Sequence, residues 1–280
     1  MNLAAELRRD FGIEVSALQG HPGGFGSRCW VGDDTWFVKM WKDGARPGGL
    51  EMLAELRGLG LPVVASVRGR DGADYAMHAR RAYAVFPYVQ GRTATPNDWL
   101  VTARALRHVH EVKELPSLPP ADMDEPAIRA LVQNLDHPWI VDRGDEVAAA
   151  AQRLEQAIDR ASAKSPREVI CHRDFGGLNL ILDDAGEVAA ILDWEQAVVG
   201  PREHDVWIAA EGNQLEAFLD EYGAHDLDLD HLEYALLARA LRDLAARVLD
   251  NVDRPGVDTW GFDRIARLDS DLEVFSAYCR

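Results

Sequence analysis

Three oxygen-bearing side chains in the second half of the chain have the types and spacing that phosphoryl transfer requires. Asp174 is followed five residues later by Asn179, and Asp193 comes fourteen residues after Asn179. Phosphoryl transfer from a nucleotide needs a carboxylate beside the acceptor hydroxyl and two oxygen ligands that hold Mg²⁺ against the phosphates. We therefore predict that Asp174 is the catalytic carboxylate and that Asn179 and Asp193 are the Mg²⁺ ligands.

The segments around these side chains strengthen this prediction. His172 to Asn179 reads H-R-D-x-x-x-x-N, which is the spacing of a kinase catalytic loop, and Asp193 lies where kinases carry the Asp of D-F-G. An apolar run precedes each cluster and predicts a strand that positions it. A lone HxD would be a weak signal, but the three-part spacing is specific.

Composition limits the class of protein. The chain has 280 residues, 47% of them apolar, and a formal net charge of −17, which fits one large domain or two lobes and disfavours nucleic acid or anionic lipid as a partner. We expect no membrane span and no signal peptide. The three cysteines, Cys29, Cys171 and Cys279, have no metal-binding spacing, which favours a reduced, cytoplasmic compartment. No obligate protein partner is evident.

Charge is distributed unevenly along the chain. Residues 1–88 hold 11 basic and 10 acidic side chains, whereas residues 198–280 hold 8 and 18. This asymmetry suits an anionic nucleotide beside the first segment and a cationic acceptor beside the second. Solubility alone explains an acidic surface equally well.

Hydrophobic periodicity changes along the chain. Up to residue 88 it predicts strands at 15–18, 28–31, 35–40, 61–64, 75–77 and 83–86 with a helix at 50–59. Beyond it, helices are predicted at 98–112, 146–163, 214–222, 231–249 and 260–278, with a hairpin at 180–192. We predict an α+β, bilobal fold: an N-lobe over 1–88 with an antiparallel sheet, a mainly helical C-lobe over 89–280, and a hinge near 86–91.

Five segments carry a family resemblance: Trp36-Phe37-Val38-Lys39, Phe86 to Gly91, His172 to Asn179, Asp193-Trp194-Glu195, and Gly200 to Asp205. Over nearly its full length the chain resembles the aminoglycoside phosphotransferase family of the protein-kinase-like superfamily. Its N-terminal half is similar to spectinomycin phosphotransferase. The resemblance implies a protein-kinase-like fold, ATP or GTP with Mg²⁺, and transfer of the γ-phosphoryl group to a hydroxyl of a small molecule.

By this resemblance Lys39 bridges the α- and β-phosphates of the nucleotide. An unpaired ammonium in an apolar strand is costly, so an acidic partner is expected on the following helix. Glu51 is our first choice and Glu55 the alternative. The turn ahead of this strand would cover the phosphates through Gly24, Gly26 and the Ser27 hydroxyl.

The resemblance also assigns the connector between the lobes to the nucleotide base. The Pro87 carbonyl would accept a hydrogen bond from the base, the Val89 N–H would donate one, and Phe86 would form the back of the pocket.

Two residues distinguish the chain from a protein kinase. Asp205 follows Asp193 by only twelve positions, which leaves no room for an activation segment, so protein-kinase activity is disfavoured. Arg173 stands where antibiotic kinases commonly carry Gly, and we expect a structural role for it. Asp205 is by resemblance an acid that braces the catalytic loop.

The leading hypothesis is an O-phosphotransferase that inactivates an aminoglycoside- or aminocyclitol-like antibiotic and so confers resistance. The acceptor would be small and cationic or polyhydroxylated, with acidic side chains as candidate contacts: Glu211, Asp230, Glu233 and Asp243. One alternative is a metabolic kinase for choline, homoserine, a thio-sugar or a nucleoside. Another is a catalytically dead kinase-like binding module, although the catalytic residues Lys39, Asp174, Asn179 and Asp193 are all intact.

Overall fold

The computed structural model describes residues 3–22, 27–45, 47–114, 116–211, 214–223, 225–249 and 259–279. It divides the chain into two compact units. The first contains Met1–His108, Val112–Leu118 and Asp174–Ala197, and the second contains Val109–Glu111, Pro119–Arg173 and Val198–Arg280. The segment that carries Asp174, Asn179 and Asp193 thus belongs to the same unit as Lys39. A lobe boundary between residues 88 and 89 stays a prediction.

A five-stranded antiparallel sheet dominates the first unit. Its strands are β1 (Leu18–His21), β2 (Ser27–Gly32), β3 (Trp36–Trp41), β4 (Ala76–His78) and β5 (Arg81–Pro87), in the spatial order β1-β2-β3-β5-β4. A tight turn joins β2 to β3, and Asp33 and Asp34 adopt positive φ within it. This sheet and the mainly helical second unit confirm the predicted α+β class.

One face of this sheet forms a core with the N-terminal helix, α1 (Leu3–Asp10). Leu7 of α1 packs in one buried cluster with Val38 and Met40 of β3 and with Tyr83 of β5. Because side chains alternate along a strand, burial of Val38 and Met40 on this face places Lys39 on the opposite face. The packing of α1 therefore fixes the direction in which the Lys39 ammonium projects.

A second, three-stranded sheet in the same unit positions the catalytic segment. It consists of β6 (Arg92–Thr93), β8 (Leu180–Leu182) and β9 (Val188–Ile191), with α2 (Leu50–Gly58) also in this unit. The strand predicted at 61–64 is wrong, because only an isolated bridge between Val63 and Ile191 forms there. Helix α3 (Trp99–His110) begins in this unit.

The second unit is mainly helical. Its described residues form the short antiparallel pair β7 (Glu168–Cys171) and β10 (Val198–Pro201). They also form the helices α4 (Pro126–Val132), α5 (Gly144–Ser162), α6 (Glu203–Val206), α7 (Leu215–Tyr222), α8 (Leu229–Leu249) and α9 (Trp260–Tyr278). α8 is buried on several sides because α4, α5, α6 and α9 all pack against it. Among the described helices, none is both long and apolar enough to cross a membrane.

Gly91, at the end of the predicted hinge, is expected to tolerate no side chain. Its φ is +150°, and a Cβ there would lie 2.3 Å from the carbonyl oxygen of Leu182. We expect Gly91→Ala to lower the free energy of unfolding by about 2–5 kcal/mol, from backbone strain and overpacking together. Denaturant unfolding measures this. Gly186→Ala is the matched control, since Gly186 also has positive φ but an added Cβ meets nothing within 4 Å. Equal losses in both variants would contradict the steric argument.

Candidate active site

Two of the predicted site residues meet at one end of the β8–β9 hairpin. Asn179 immediately precedes β8 and Asp193 follows β9, and Leu180 pairs with Ile191 between them. The Leu192 N–H donates to the Asn179 carbonyl at 2.8 Å, which continues the pairing beyond the strands. Asp193 has φ +63°, a left-handed conformation that Asp tolerates better than most residues. The buried Trp194 indole stabilises this turn by donating to the Ile191 carbonyl at 2.9 Å.

Asn179 also contacts Asp174. Its Nδ2 donates to the Asp174 carbonyl at 2.8 Å and to the Asp174 carboxylate at 3.1 Å. Both partners are acceptors, so the amide nitrogen must face them, and the amide oxygen Oδ1 faces away. This orientation leaves an oxygen donor of the kind that Mg²⁺ prefers.

Lys39 projects to the same acids from β3. Its Nζ lies 2.7 Å from Asp193 Oδ1 and 2.7 Å from Glu195 Oε1, and its side chain is 17% exposed. Burial alone lowers the pKa of Lys39, but attraction by Asp193 and Glu195 outweighs it and raises the pKa above its ordinary value. The ammonium is therefore charged at neutral pH.

These contacts correct the expected partner of Lys39. Within the described chain, the acids at ion-pair distance from Lys39 are Asp193 and Glu195, and the predicted pair with Glu51 or Glu55 does not form. Glu51 is exposed on α2. Glu55 accepts a hydrogen bond from the Ser117 N–H at 3.1 Å. The prediction that a buried ammonium needs a carboxylate was sound, but sequence separation could not identify which one.

Main-chain groups at the end of β5 point alternately toward and away from β3. The Tyr88 N–H donates to the Thr35 carbonyl at 2.8 Å, so Tyr88 directs its main-chain groups toward β3. In an antiparallel ladder, main-chain groups of neighbouring residues point to opposite sides of the strand. The carbonyl of Pro87, the residue before Tyr88, therefore points away from β3. The Val85 carbonyl points to the same side and accepts a hydrogen bond from the Val67 N–H at 2.7 Å. The Pro87 carbonyl is the next one along β5 that faces this side.

The remaining predicted nucleotide contacts are placed as follows. Phe86 is half-buried opposite Phe37, and Val89 is half-buried just beyond β5. Ser27 begins β2, and its hydroxyl lies 3.6 Å from the Cys29 sulfur. Gly24 and Gly26 lie outside the described residues. The roles assigned to these five residues stay predictions.

Asp205, in the second unit, holds the main chain that leads into Asp174. Its two carboxylate oxygens accept from the His172 and Arg173 N–H groups, both at 2.6 Å. His110 Nε2 lies 3.3 Å from the same carboxylate, and His110 Nδ1 lies 2.6 Å from the Tyr222 hydroxyl. Burial by itself would raise the pKa of Asp205, but the hydrogen bonds and nearby histidines lower it, so the brace is anionic.

His110, Cys171 and Asp205 lie close enough together to be considered as a metal site. Their hydrogen bonds argue against one. The Cys171 thiol donates to the Pro201 carbonyl at 3.1 Å, and burial raises the pKa of this thiol well above its ordinary value, which disfavours the thiolate that a metal needs. We interpret the group as a structural network behind the catalytic loop.

The four acids proposed as acceptor contacts all form ion pairs within the second unit. Glu211 and Asp243 both contact Arg264, with Glu211 Oε1 2.5 Å from its Nε. Asp230 and Glu233 both contact Arg160, at 2.8 Å and 2.5 Å. Much of their negative charge is thus compensated inside the protein, which the sequence count of acids did not reveal.

The site and fold define a kinase-like phosphotransferase. The family model described as "Phosphotransferase enzyme family" matches residues 17–250, and the chain belongs to this family. Comparison with curated protein sequences gives no significant match.

Solved structures of three related proteins resemble the chain over most of its length. Spectinomycin phosphotransferase, solved with ADP and spectinomycin, is 17% identical, with 99% of this chain and 97% of that chain covered and a TM-score of 0.69. A thermostable mutant of aminoglycoside phosphotransferase APH(4)-Ia, with AMP-PNP and hygromycin B, is 17% identical, with 99% of each chain covered and a TM-score of 0.64. An aminoglycoside phosphotransferase from Alicyclobacillus acidocaldarius is 17% identical, with 94% and 91% covered and a TM-score of 0.56. At these identities the matches show the fold, which confirms the predicted kinase-like architecture.

Sequence reasoning missed the partners that hold the site residues. In the sequence, Glu195 drew attention only as part of the Asp193-Trp194-Glu195 segment, although an acid two residues from Asp193 could have suggested a second partner for Lys39. His110 contacts Asp205 95 positions away, Tyr222 contacts His110 112 positions away, and Glu125 contacts Arg173 48 positions away. These separations carry no signal in the sequence. Burial of polar side chains, visible only in the fold, identifies them.

Proposed function

We propose that the protein is a Mg²⁺-dependent O-phosphotransferase that moves the γ-phosphoryl group of ATP or GTP to a hydroxyl of an aminoglycoside- or aminocyclitol-like antibiotic. The observation that supports transfer most directly is the convergence of Lys39, Asn179 and Asp193 beside Asp174 within one unit. Related proteins of the same fold bind spectinomycin and hygromycin B together with nucleotides.

The side chains present fit a hard divalent cation. Asn179 and Asp193 would hold Mg²⁺ through oxygen atoms, with Glu195 two residues away, and neither sulfur nor imidazole lies among the proposed ligands. The bound ion would neutralise charge on the nucleotide phosphates. Lys39 contributes a fixed positive charge for the same phosphates, and Asp174 would orient the acceptor hydroxyl and accept its proton late in the reaction.

A second candidate function is a metabolic kinase with a less cationic acceptor. The ion pairs of Glu211, Asp230, Glu233 and Asp243 favour it, because carboxylates already neutralised by arginine attract a cation weakly. The net charge of residues 198–280 still favours the antibiotic, since acidic side chains outnumber basic ones there.

An acceptor panel separates these possibilities. The protein is incubated with Mg²⁺ and ATP or GTP and with spectinomycin, hygromycin B, other aminoglycosides, choline, homoserine, a thio-sugar and a nucleoside. We expect mass spectrometry to find a single added phosphoryl group on at least one antibiotic, and expression to protect a susceptible bacterium from it. A cationic acceptor should also show a KM that rises with salt, because screening weakens attraction beyond about 8–10 Å.

The Asp174→Asn variant is the matched control for both assays. Phosphorylation of a metabolite alone, without salt dependence, would favour the metabolic kinase. Absence of phosphoryl transfer to every acceptor would favour a catalytically dead module.

A further inference from the structure

The residue immediately before the proposed catalytic Asp174 adopts an unusual backbone conformation. Arg173 has φ +65°, in the left-handed region that glycine enters freely and that a long side chain enters only under constraint. Strained residues of this kind persist only where their surroundings over-determine them, and they cluster at functional sites. The contacts of Arg173 therefore indicate what holds the loop.

The guanidinium of Arg173 is enclosed in a small polar network. Its Nη2 lies 3.2 Å from the Tyr234 hydroxyl and 3.5 Å from Glu125 Oε1, and Nη1 lies 3.4 Å from the Asp122 carbonyl oxygen. The last two distances are long for hydrogen bonds, so the attraction of Glu125 for the guanidinium is largely electrostatic. The side chain is 14% exposed, which limits screening by water.

Glu125 is the centre of this network. It is 6% exposed and precedes α4. Its carboxylate accepts from the Tyr234 hydroxyl at 2.7 Å and from Arg242 through both Nε, at 2.9 Å, and Nη2. Because Tyr234 donates to Glu125, the lone pairs of its hydroxyl oxygen are directed toward Arg173. One buried carboxylate thus serves two guanidiniums, one directly and one largely through a tyrosine.

We propose that Glu125 is a positioning residue for phosphoryl transfer: with Tyr234 it holds Arg173 in the left-handed conformation that sets the path of the chain into Asp174. Asp205 fixes the main chain of the loop at His172 and Arg173, and Glu125 fixes the side chain of Arg173. Kinase activation loops are ordered by phosphorylation through new pairs between arginine and the phosphorylated residue. Here a resident carboxylate supplies the anion, so the loop is held without modification. The proposal rests on the proposed function through the role of Asp174.

A double-mutant cycle tests this proposal. In Glu125→Gln the shape is kept and the charge is lost, and we expect kcat to fall about 10- to 100-fold, the scale of a small misplacement of a catalytic group, with nucleotide KM nearly unchanged. Arg173→Gly removes the guanidinium and lets the backbone reach φ +65° without strain, so it provides the background in which the second substitution is measured. Adding Glu125→Gln to Arg173→Gly should then cost little, because no guanidinium is left to be held.

Two further variants guard the result. Tyr234→Phe removes only the hydroxyl that bridges Glu125 and Arg173, and we expect it to lower kcat by less than Glu125→Gln does. This variant tests the proposal if Glu125→Gln folds poorly. Asp124→Asn changes the adjacent, exposed acid, which pairs with Arg129, and should leave kcat unchanged. If the loss from Glu125→Gln is unaltered in the Arg173→Gly background, Glu125 acts through Arg242 or through the fold, and the proposal is overturned. Unchanged kcat in Glu125→Gln overturns it as well.

A readout independent of catalysis separates this proposal from the proposed function. Hydrogen–deuterium exchange of a peptide spanning residues 169–175 reports on the His172 and Arg173 N–H groups that Asp205 binds. We expect this peptide to exchange at least about tenfold faster in Glu125→Gln, and the β8–β9 peptide to exchange at the wild-type rate. Unaltered exchange at 169–175 would contradict the proposal even for an active enzyme. If wild-type protein transfers phosphate to no acceptor in the panel, the proposed function fails, and the exchange rates still decide whether Glu125 holds the loop.

Discussion

Replacing Asp174 with asparagine is expected to lower turnover by about 10²- to 10⁴-fold, the contribution usual for a general base. Asparagine keeps the shape of the side chain and removes the charge and the proton-accepting oxygen. The Asn179 Nδ2 bond to the main-chain carbonyl of residue 174 is retained, so the geometry of the loop should survive. Nucleotide affinity should also survive, because Lys39, Asn179 and Asp193 are unchanged.

Steady-state kinetics with the best acceptor of the panel, together with equilibrium binding of Mg²⁺-nucleotide, measure the two effects separately. Asp184→Asn is the control, since it makes the same substitution at an exposed position in the turn between β8 and β9. Turnover equal to that of the wild type would assign the base elsewhere. A parallel loss of nucleotide binding would mean that Asp174 mainly stabilises the site rather than acting on the acceptor.

Local patterns in the sequence predicted the parts of the site that lie close together along the chain. The apolar runs on either side of 183–187 predicted a hairpin, and its register places Asn179 beside Asp193 because antiparallel pairing leaves no other arrangement for residues at the two ends. The turn at Asp33 and Asp34 lies in the short gap between the strands predicted at 28–31 and 35–40. These features depend on neighbours within about twenty residues.

Features that depend on distant residues were predicted less well. Lys39 was expected to pair with Glu51 or Glu55 on the next helix, but its partners are Asp193 and Glu195, more than 150 positions away. The segment 61–64 has the apolar residues of a strand. Among the described residues, however, its only ladder contact is the isolated bridge between Val63 and Ile191. Tertiary contacts decide such cases, and a single sequence does not contain them.

The positions of free acidic side chains were also not predictable from the sequence. Counting acids in residues 198–280 suggested free carboxylates for a cationic acceptor. The fold places Arg264 between Glu211 and Asp243, and Arg160 beside Asp230 and Glu233. The segment keeps its negative net charge, but whether a given carboxylate can bind a cation depends on which arginines the helices place beside it. The acceptor is therefore the least constrained part of the proposed function.

Replacing Asp193 with asparagine is expected to lower turnover by about 100-fold or more, the scale of losing an electrostatic group that acts on the transition state. Two effects combine, because the carboxylate is both the proposed Mg²⁺ ligand and a partner of Lys39. Asparagine is the sharper choice over alanine, since it tolerates the left-handed conformation at φ +63° and so removes charge without adding backbone strain.

Magnesium dependence distinguishes this variant from Asp174→Asn. Turnover of Asp193→Asn, measured against MgCl₂ at fixed nucleotide, should reach half-maximum at a higher Mg²⁺ concentration than in the wild type, because a neutral amide binds the cation more weakly than a carboxylate does. Asp34→Asn is the matched control, with the same substitution in the same left-handed conformation, at φ +51° in the β2–β3 turn. A wild-type Mg²⁺ profile in Asp193→Asn would remove Asp193 from the metal site. If turnover fell while the profile stayed unchanged, the loss would belong to the pair with Lys39, and that carboxylate would act by positioning the ammonium against the phosphates.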